Sequence, residues 1–209
     1  MTISTIANVL TFPIGIVCLI ISLRAFHVYR LSRNEVLFIL GLSMASIAAA
    51  AFSSTVGELH IGGTNFNWEW TRAFGSCSGG LFLLLSSMVK SHEQLQLLKR
   101  WQIITAIAFI VVILLTPLYP RFASPFIPAG LFSCRIIIYG YACIRYTTLY
   151  ISKATRFSLI MSAGFLLLAI GFGFNIPGVF QSGLAAVTIL GAAIRTIGYI
   201  SLLLAYSVG

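Results

Sequence analysis

The sequence predicts an all-α integral membrane protein, a single domain of seven transmembrane helices over residues 1–209. Three observations carry the prediction. Only 8% of the 209 residues are charged while 59% are hydrophobic. An ordinary soluble domain carries about 25% charged residues, so water cannot be the main solvent of this surface. Apolar stretches long enough to cross ~30 Å of hydrocarbon at ~1.5 Å per residue recur along the chain. The basic residues, finally, gather at alternate ends of those stretches.

Taken in order, the spans fall at roughly 5–26, 35–57, 67–90, 101–118, 126–149, 157–175 and 184–208. The first lacks a basic stretch before its apolar run and is followed by six more, so it reads as a retained helix and not a secretory signal. The second carries Gly41, Ala45, Ala49 and Ser53 at spacing four, and the third carries Gly75 and Gly79. Small residues at that spacing let helix backbones approach inside lipid. Around the fourth connection Pro117, Pro120, Pro125 and Pro128 predict a rigid outer turn, and Pro177 closes the sixth span. Trp68, Trp70, Trp101, Tyr119, Tyr146 and Tyr150 sit where aromatic belts form at the two membrane surfaces. Cys18, Cys77, Cys134 and Cys143 all fall inside spans with no C-x-x-C pair, which predicts packing residues and no disulfide framework.

The net charge is +9, and its placement points to a membrane surface rather than to nucleic acid. Arg24, Arg30, Arg33, Lys90, Lys99, Arg100, Arg145, Lys153 and Arg156 lie near one set of span ends; Arg72 and Arg121 lie near the other. The positive-inside rule then sets the N-terminus outside and the C-terminus in the cytoplasm. The expected location is the cell's plasma membrane, multi-pass, with anionic headgroups against the basic rim.

An internal repeat is also expected. Sliding the chain by 123 residues sets Arg33 on Arg156, Gly41 on Gly164, Arg72 on Arg195 and Gly75 on Gly198. The repeats are then residues 1–97 and 124–209, with residues 98–123 as a linker helix. Both would begin outside, which makes them parallel repeats with binding sites between them near the midplane. This 3+1+3 plan with an outside N-terminus is similar in architecture to the sugar-transporting SWEET family and, more loosely, to microbial rhodopsins. The chain has no Pro-Gln dipeptide of the SWEET-related kind, and its last span holds Arg195 where a retinal Schiff base would need Lys.

The candidate site follows from the cations. An arginine cannot be deprotonated in a protein, and at mid-membrane it costs at least ~2.5–3.5 kcal/mol. Arg195 is the deepest, Arg135 lies about two turns inside the fifth span, and Arg72 is near enough to the outer surface to snorkel. The acids are only Glu35, Glu58, Glu69 and Glu93. Glu69 is three residues from Arg72 on one helix face and is expected to pair with it, which leaves Glu58 for Arg135 or Arg195. Structurally, such an arginine can also be satisfied by helix carbonyls, hydroxyls and water. Functionally, Arg135, Arg195 and Arg72, with Glu58, Glu69 and His60 of the outer loop, would line a cavity for a carboxylate or phosphate, which the guanidinium fork matches.

No cofactor is expected. No His-x-x-x-His, nucleotide-binding glycine pattern or Gly-x-Ser-x-Gly elbow occurs, and there is no Asp at all, so no catalytic residue and no metal site are assigned and an enzymatic role is disfavoured. Three roles fit: a facilitative carrier for a small anionic or amphiphilic solute; a receptor or sensor input module, whose output would need a protein partner because the last span ends at Gly209; and an accessory subunit of a larger complex or homo-oligomer.

Overall fold

The computed structural model describes residues 11–58, 68–89, 91–119, 122, 124–181 and 184–208. It is all-helical. The helices are α1 (Phe12–Ser32), α2 (Glu35–Glu58), α3 (Glu69–Met88), α4 (His92–Leu114), α5 (Phe126–Lys153), α6 (Arg156–Gly173), the short α7 (Asn175–Phe180) and α8 (Ala185–Val208), with a 3-10 turn at Thr116–Leu118. Six candidate spans are long and apolar enough to cross a membrane, as a polytopic membrane protein requires. The seventh long helix, α3, is not among them. It carries Glu69 and Arg72 and repeated Ser and Gly, yet its Thr71, Gly75, Ser76, Gly79 and Gly80 are buried. A helix covered by protein on this scale need not be apolar toward lipid.

The fourth helix begins nine residues before the expected start. Ser91 caps it by accepting from the Gln94 backbone N–H at 3.2 Å, and its first turns are polar. Pro117 belongs to the 3-10 turn that follows, so α4 ends at Leu114.

The chain divides into two compact units, Cys18–Arg121 and Met1–Val17 with Phe122–Gly209. In the first, α1 and α2 form a hairpin. Arg33 takes a left-handed conformation (φ 56°), Asn34 Oδ1 accepts from the Val36 N–H at 3.0 Å, and Ser22 Oγ donates to the Gly41 carbonyl at 2.8 Å. Helix α3 lies close against α2. A Cβ on Gly79 would stand 2.7 Å from the Ser43 oxygen, and one on Gly75 2.8 Å from the Ser46 oxygen. The α2 face that meets α3 is thus Ser43, Ser46, Ile47 and Ala50, while Gly41 faces Phe26 of α1. Helix α4 packs onto the same pair. Gln102 Nε2 donates to the Ile39 carbonyl (2.7 Å) and to Ser43 Oγ (2.9 Å), and the Phe74 and Phe109 rings stack at 5.7 Å. At one end Thr71 and Thr116 share a buried hydroxyl bond of 3.1 Å. At the other, Ile39, Phe82 and Leu98 form an apolar core.

In the second unit α5 and α6 form a hairpin of similar construction. Ala154 is left-handed (φ 49°), Thr155 Oγ1 accepts from the Ser158 N–H at 3.4 Å, and Ser162 Oγ donates to the Cys143 carbonyl at 3.4 Å. Each device sits 121 positions after its counterpart: Arg33 and Ala154, Asn34 and Thr155, Ser22 and Cys143, Gly41 and Ser162. Helices α6 and α8 meet along glycines in turn. A Cβ on Gly198 would lie 3.1 Å from the Gly164 oxygen, and one on Gly191 2.8 Å from the Gly171 oxygen.

Candidate functional site

A ladder of rings fastens α5 to α6. On α5, Phe132, Tyr139 and Tyr146 recur every seven residues; on α6, Phe157, Phe165 and Phe172 recur every seven or eight. Both spacings keep side chains on one helix face. The two rows alternate: Phe132 with Phe172 (6.3 Å), Tyr139 with Phe172 (5.6 Å) and Phe165 (6.1 Å), Tyr146 with Phe165 (5.5 Å) and Phe157 (6.3 Å). Tyr139 is further tied to Tyr199 of α8 through their hydroxyls at 3.3 Å.

Both deep arginines reach the Phe172 end of this ladder. The Arg135 guanidinium carbon stands 5.4 Å from the Phe132 centroid and 5.3 Å from that of Phe172. The Arg195 guanidinium carbon stands 5.0 Å from the same Phe172 centroid. One ring therefore serves two cations, and the sum of its two distances bounds their separation. A ring face attracts a cation through its quadrupole, by ~0.5–2 kcal/mol, but it cancels no charge.

Beyond the shared ring the two arginines differ. Arg195 is half-buried and is held by its own chain. Its Nε donates to the Gly191 carbonyl at 3.3 Å. With the side-chain oxygen of buried Asn175 turned to the guanidinium, Nη1 and Nη2 donate to it at 3.2 and 3.3 Å. Arginine has no acceptor atom, so that orientation of the amide is the bonding one. The stem of Arg195 crosses α6 at Gly171, where a Cβ would come within 2.5 Å of Arg195 Cγ. A Cβ on Gly191 would likewise stand 3.0 Å from the Asn175 side chain. The glycine seam between α6 and α8 thus makes the room in which Arg195 and Asn175 meet.

Arg135 is 4% exposed, and its Nε is buried with no hydrogen-bond partner. The ring contacts are its polar environment among the described residues. No Asp or Glu occurs anywhere in residues 1–17 or 122–209, so its own unit offers no side-chain carboxylate. Desolvating a cation without an anion or acceptor is costly, and only the two ring contacts among the described residues stand against that cost.

Arg72 and Glu69 occupy the first turn of α3 in the other unit, and Arg72 is half-buried. Glu58 ends α2, and its side chain, like the whole of His60, falls outside the described residues. Sequence reasoning missed Phe172 and Asn175. The seven-residue ring spacing on α5 and α6 was a signal for Phe172. Asn175 had none, being twenty residues from Arg195 and brought to it by the close approach of α6 and α8.

No family model matches this chain, and no curated protein or solved structure matches it.

Proposed function

We propose that the protein is a facilitative carrier for a small anionic or amphiphilic solute, and that Arg135, with Arg195 beside it, holds the anionic group. The observation that carries this reading is the Arg135 guanidinium, buried, with an unpaired Nε, in a unit without a single Asp or Glu. A carboxylate or phosphate would supply the missing acceptor. At an effective dielectric of ~20, an anion ~4 Å from one cation gains about 4 kcal/mol, and a second guanidinium at the same ring adds to it. Phe132, Phe172 and Tyr139 give such a solute an apolar wall.

The carrier reading further takes the chain to cross the plasma membrane seven times, with its N-terminus outside and α3 as the enclosed crossing. Residues 1–97 and 124–209 are then parallel repeats. The paired hairpin devices, 121 residues apart, support this. A homo-oligomer or a protein partner is compatible with the same site.

Proteoliposomes loaded with unlabelled benzoate or phosphate should exchange with the radiolabelled ion outside, and Arg135→Gln should abolish exchange. The receptor reading keeps the site but not the flux: saturable binding of either ion, lost in Arg135→Gln, without exchange would favour it. Neither binding nor exchange for carboxylates and phosphate would remove both.

A further inference from the structure

A second site lies in the other unit, at the polar end of α4, and stands independently of the carrier reading. Glu35 opens α2 and meets Lys99 of α4, whose Nζ lies 3.5 Å from Oε1. Lys99 is fixed on its remaining sides. It donates to the Tyr29 hydroxyl at 3.4 Å and stands over the rings of Tyr29 (5.6 Å) and Phe38 (5.1 Å). The other carboxylate oxygen, Oε2, is buried and has no donor. Glu35 and Lys99 line a recess of about 190 Å³ together with Gln96, Arg100 and Ile103. Arg100 is exposed at its rim, and among the described residues it has no carboxylate within ion-pair distance.

The recess therefore offers a ligand two footholds. The buried Glu35 Oε2 lacks an N–H donor, and the exposed Arg100 guanidinium beside it is open to an anion. A simple anion satisfies the second and is repelled by Glu35. A simple cation satisfies the first and is repelled by Arg100. A zwitterion with an N–H-bearing ammonium a few bonds from a phosphate satisfies both. The position selects its source. The recess sits where α4 changes from polar turns (Gln94, Gln96, Lys99, Arg100) to an apolar column: Trp101 is 58% exposed, and Ile104, Ile107 and Ile110 are each more than half exposed. Only 11% of this span is buried inside the protein. An amphipathic boundary of this kind lies at headgroup depth, with acyl chains along the isoleucines.

We infer that the Glu35–Lys99–Arg100 recess binds the headgroup of an aminophospholipid of the phosphatidylethanolamine type. The ammonium takes the Glu35 carboxylate, which turns to bring the buried Oε2 to it, the phosphate faces Arg100, and the tails descend past Ile103 along α4. A choline headgroup, with no N–H to give, leaves Oε2 unpaired.

The test is lipid retention by the purified full chain. Protein in detergent is exchanged with phosphatidylethanolamine, its N-monomethyl and N,N-dimethyl derivatives, phosphatidylcholine and phosphatidylglycerol, all with the same tails, and retained lipid is counted by native mass spectrometry. Retention should fall along the methylation series, most steeply at the last step, with phosphatidylethanolamine at least about tenfold above phosphatidylcholine and phosphatidylglycerol. Glu35→Gln should flatten the series, and Arg100→Gln should weaken every phosphate-bearing member alike. If Glu35→Gln fails to fold, the series on the unsubstituted chain decides alone. A flat series, or phosphatidylglycerol retained as well as phosphatidylethanolamine, overturns the site. Displacement by soluble glycerophosphoethanolamine at equal concentration overturns the lipid as its source.

Discussion

Replacing Arg135 with methionine removes a cation that the protein leaves unmatched, and the effect on stability can be worked from its surroundings. The unpaired, buried Nε carries a penalty of about 1–3 kcal/mol that disappears with it. The two guanidinium carbons stand 5.3 and 5.0 Å from one ring centroid. At the largest separation those distances allow, ~10 Å, and an effective dielectric of ~20, their repulsion is at least about 1.6 kcal/mol, and it also disappears. Against this stand two ring contacts of ~0.5–2 kcal/mol each. Taken at their midpoints these terms leave the ligand-free Arg135→Met protein about 1 kcal/mol more stable than the parent. Arg195→Met relieves the same repulsion but strands the Asn175 amide, which is 5% exposed, at a cost of about 1–3 kcal/mol. The two variants should differ by roughly 2 kcal/mol with Arg135→Met the more stable, which at this chain length is about 4–8 °C in thermal midpoint. Detergent-solubilised protein followed by circular dichroism, checked by denaturant titration, reads the difference. Equal midpoints, or Arg195→Met as the more stable variant, would refute the reasoning that only Arg195 is satisfied by its own chain.

Three substitutions at tight or strained backbone positions have definite expected outcomes. Gly171→Ala places a Cβ 2.5 Å from Arg195 Cγ and 2.9 Å from the Gly191 oxygen; it should lower stability by about 1–3 kcal/mol and weaken benzoate binding with every charge retained, whereas Gly130→Ala, with nothing within 4 Å, should leave binding unchanged and stability equal or higher by up to about 1 kcal/mol. Gly79→Ala sets a Cβ 2.7 Å from the Ser43 oxygen, a backbone atom that cannot turn aside, so the midpoint should fall by several degrees; an unchanged midpoint would deny the tight α2–α3 contact. Ala154→Gly relieves a left-handed Ala (φ 49°) and should stabilise by up to about 1 kcal/mol in the same assay.

The all-helical, membrane-spanning character of the chain was legible because apolar length and charge count are properties of composition. So was the tight packing at Gly75 and Gly79, since spacing four on a helix fixes a face. The boundaries of α4 were not: its first turns are held by the Ser91 cap and by contacts of Leu98, Lys99 and Gln102 with other helices, which hydropathy does not register. The site was half legible. Scarcity of carboxylates singled out Arg135 and Arg195, but depth along a helix could not reveal which one finds a partner. Asn175 and Gly171 settle that through contacts between helices, and only the fold brings them to Arg195.

Anomalous diffraction from crystals grown with 4-bromobenzoate tests the Arg135 site most directly, because the bromine marks the ring and the carboxylate must lie on the opposite side of it. One bromine peak beside Phe132 and Phe172, with the carboxylate on the Arg135 guanidinium, and its loss in Arg135→Met, is the expected result. A carboxylate of the protein itself seated on Arg135, Glu58 included, would contradict the claim that this cation waits for an anionic ligand.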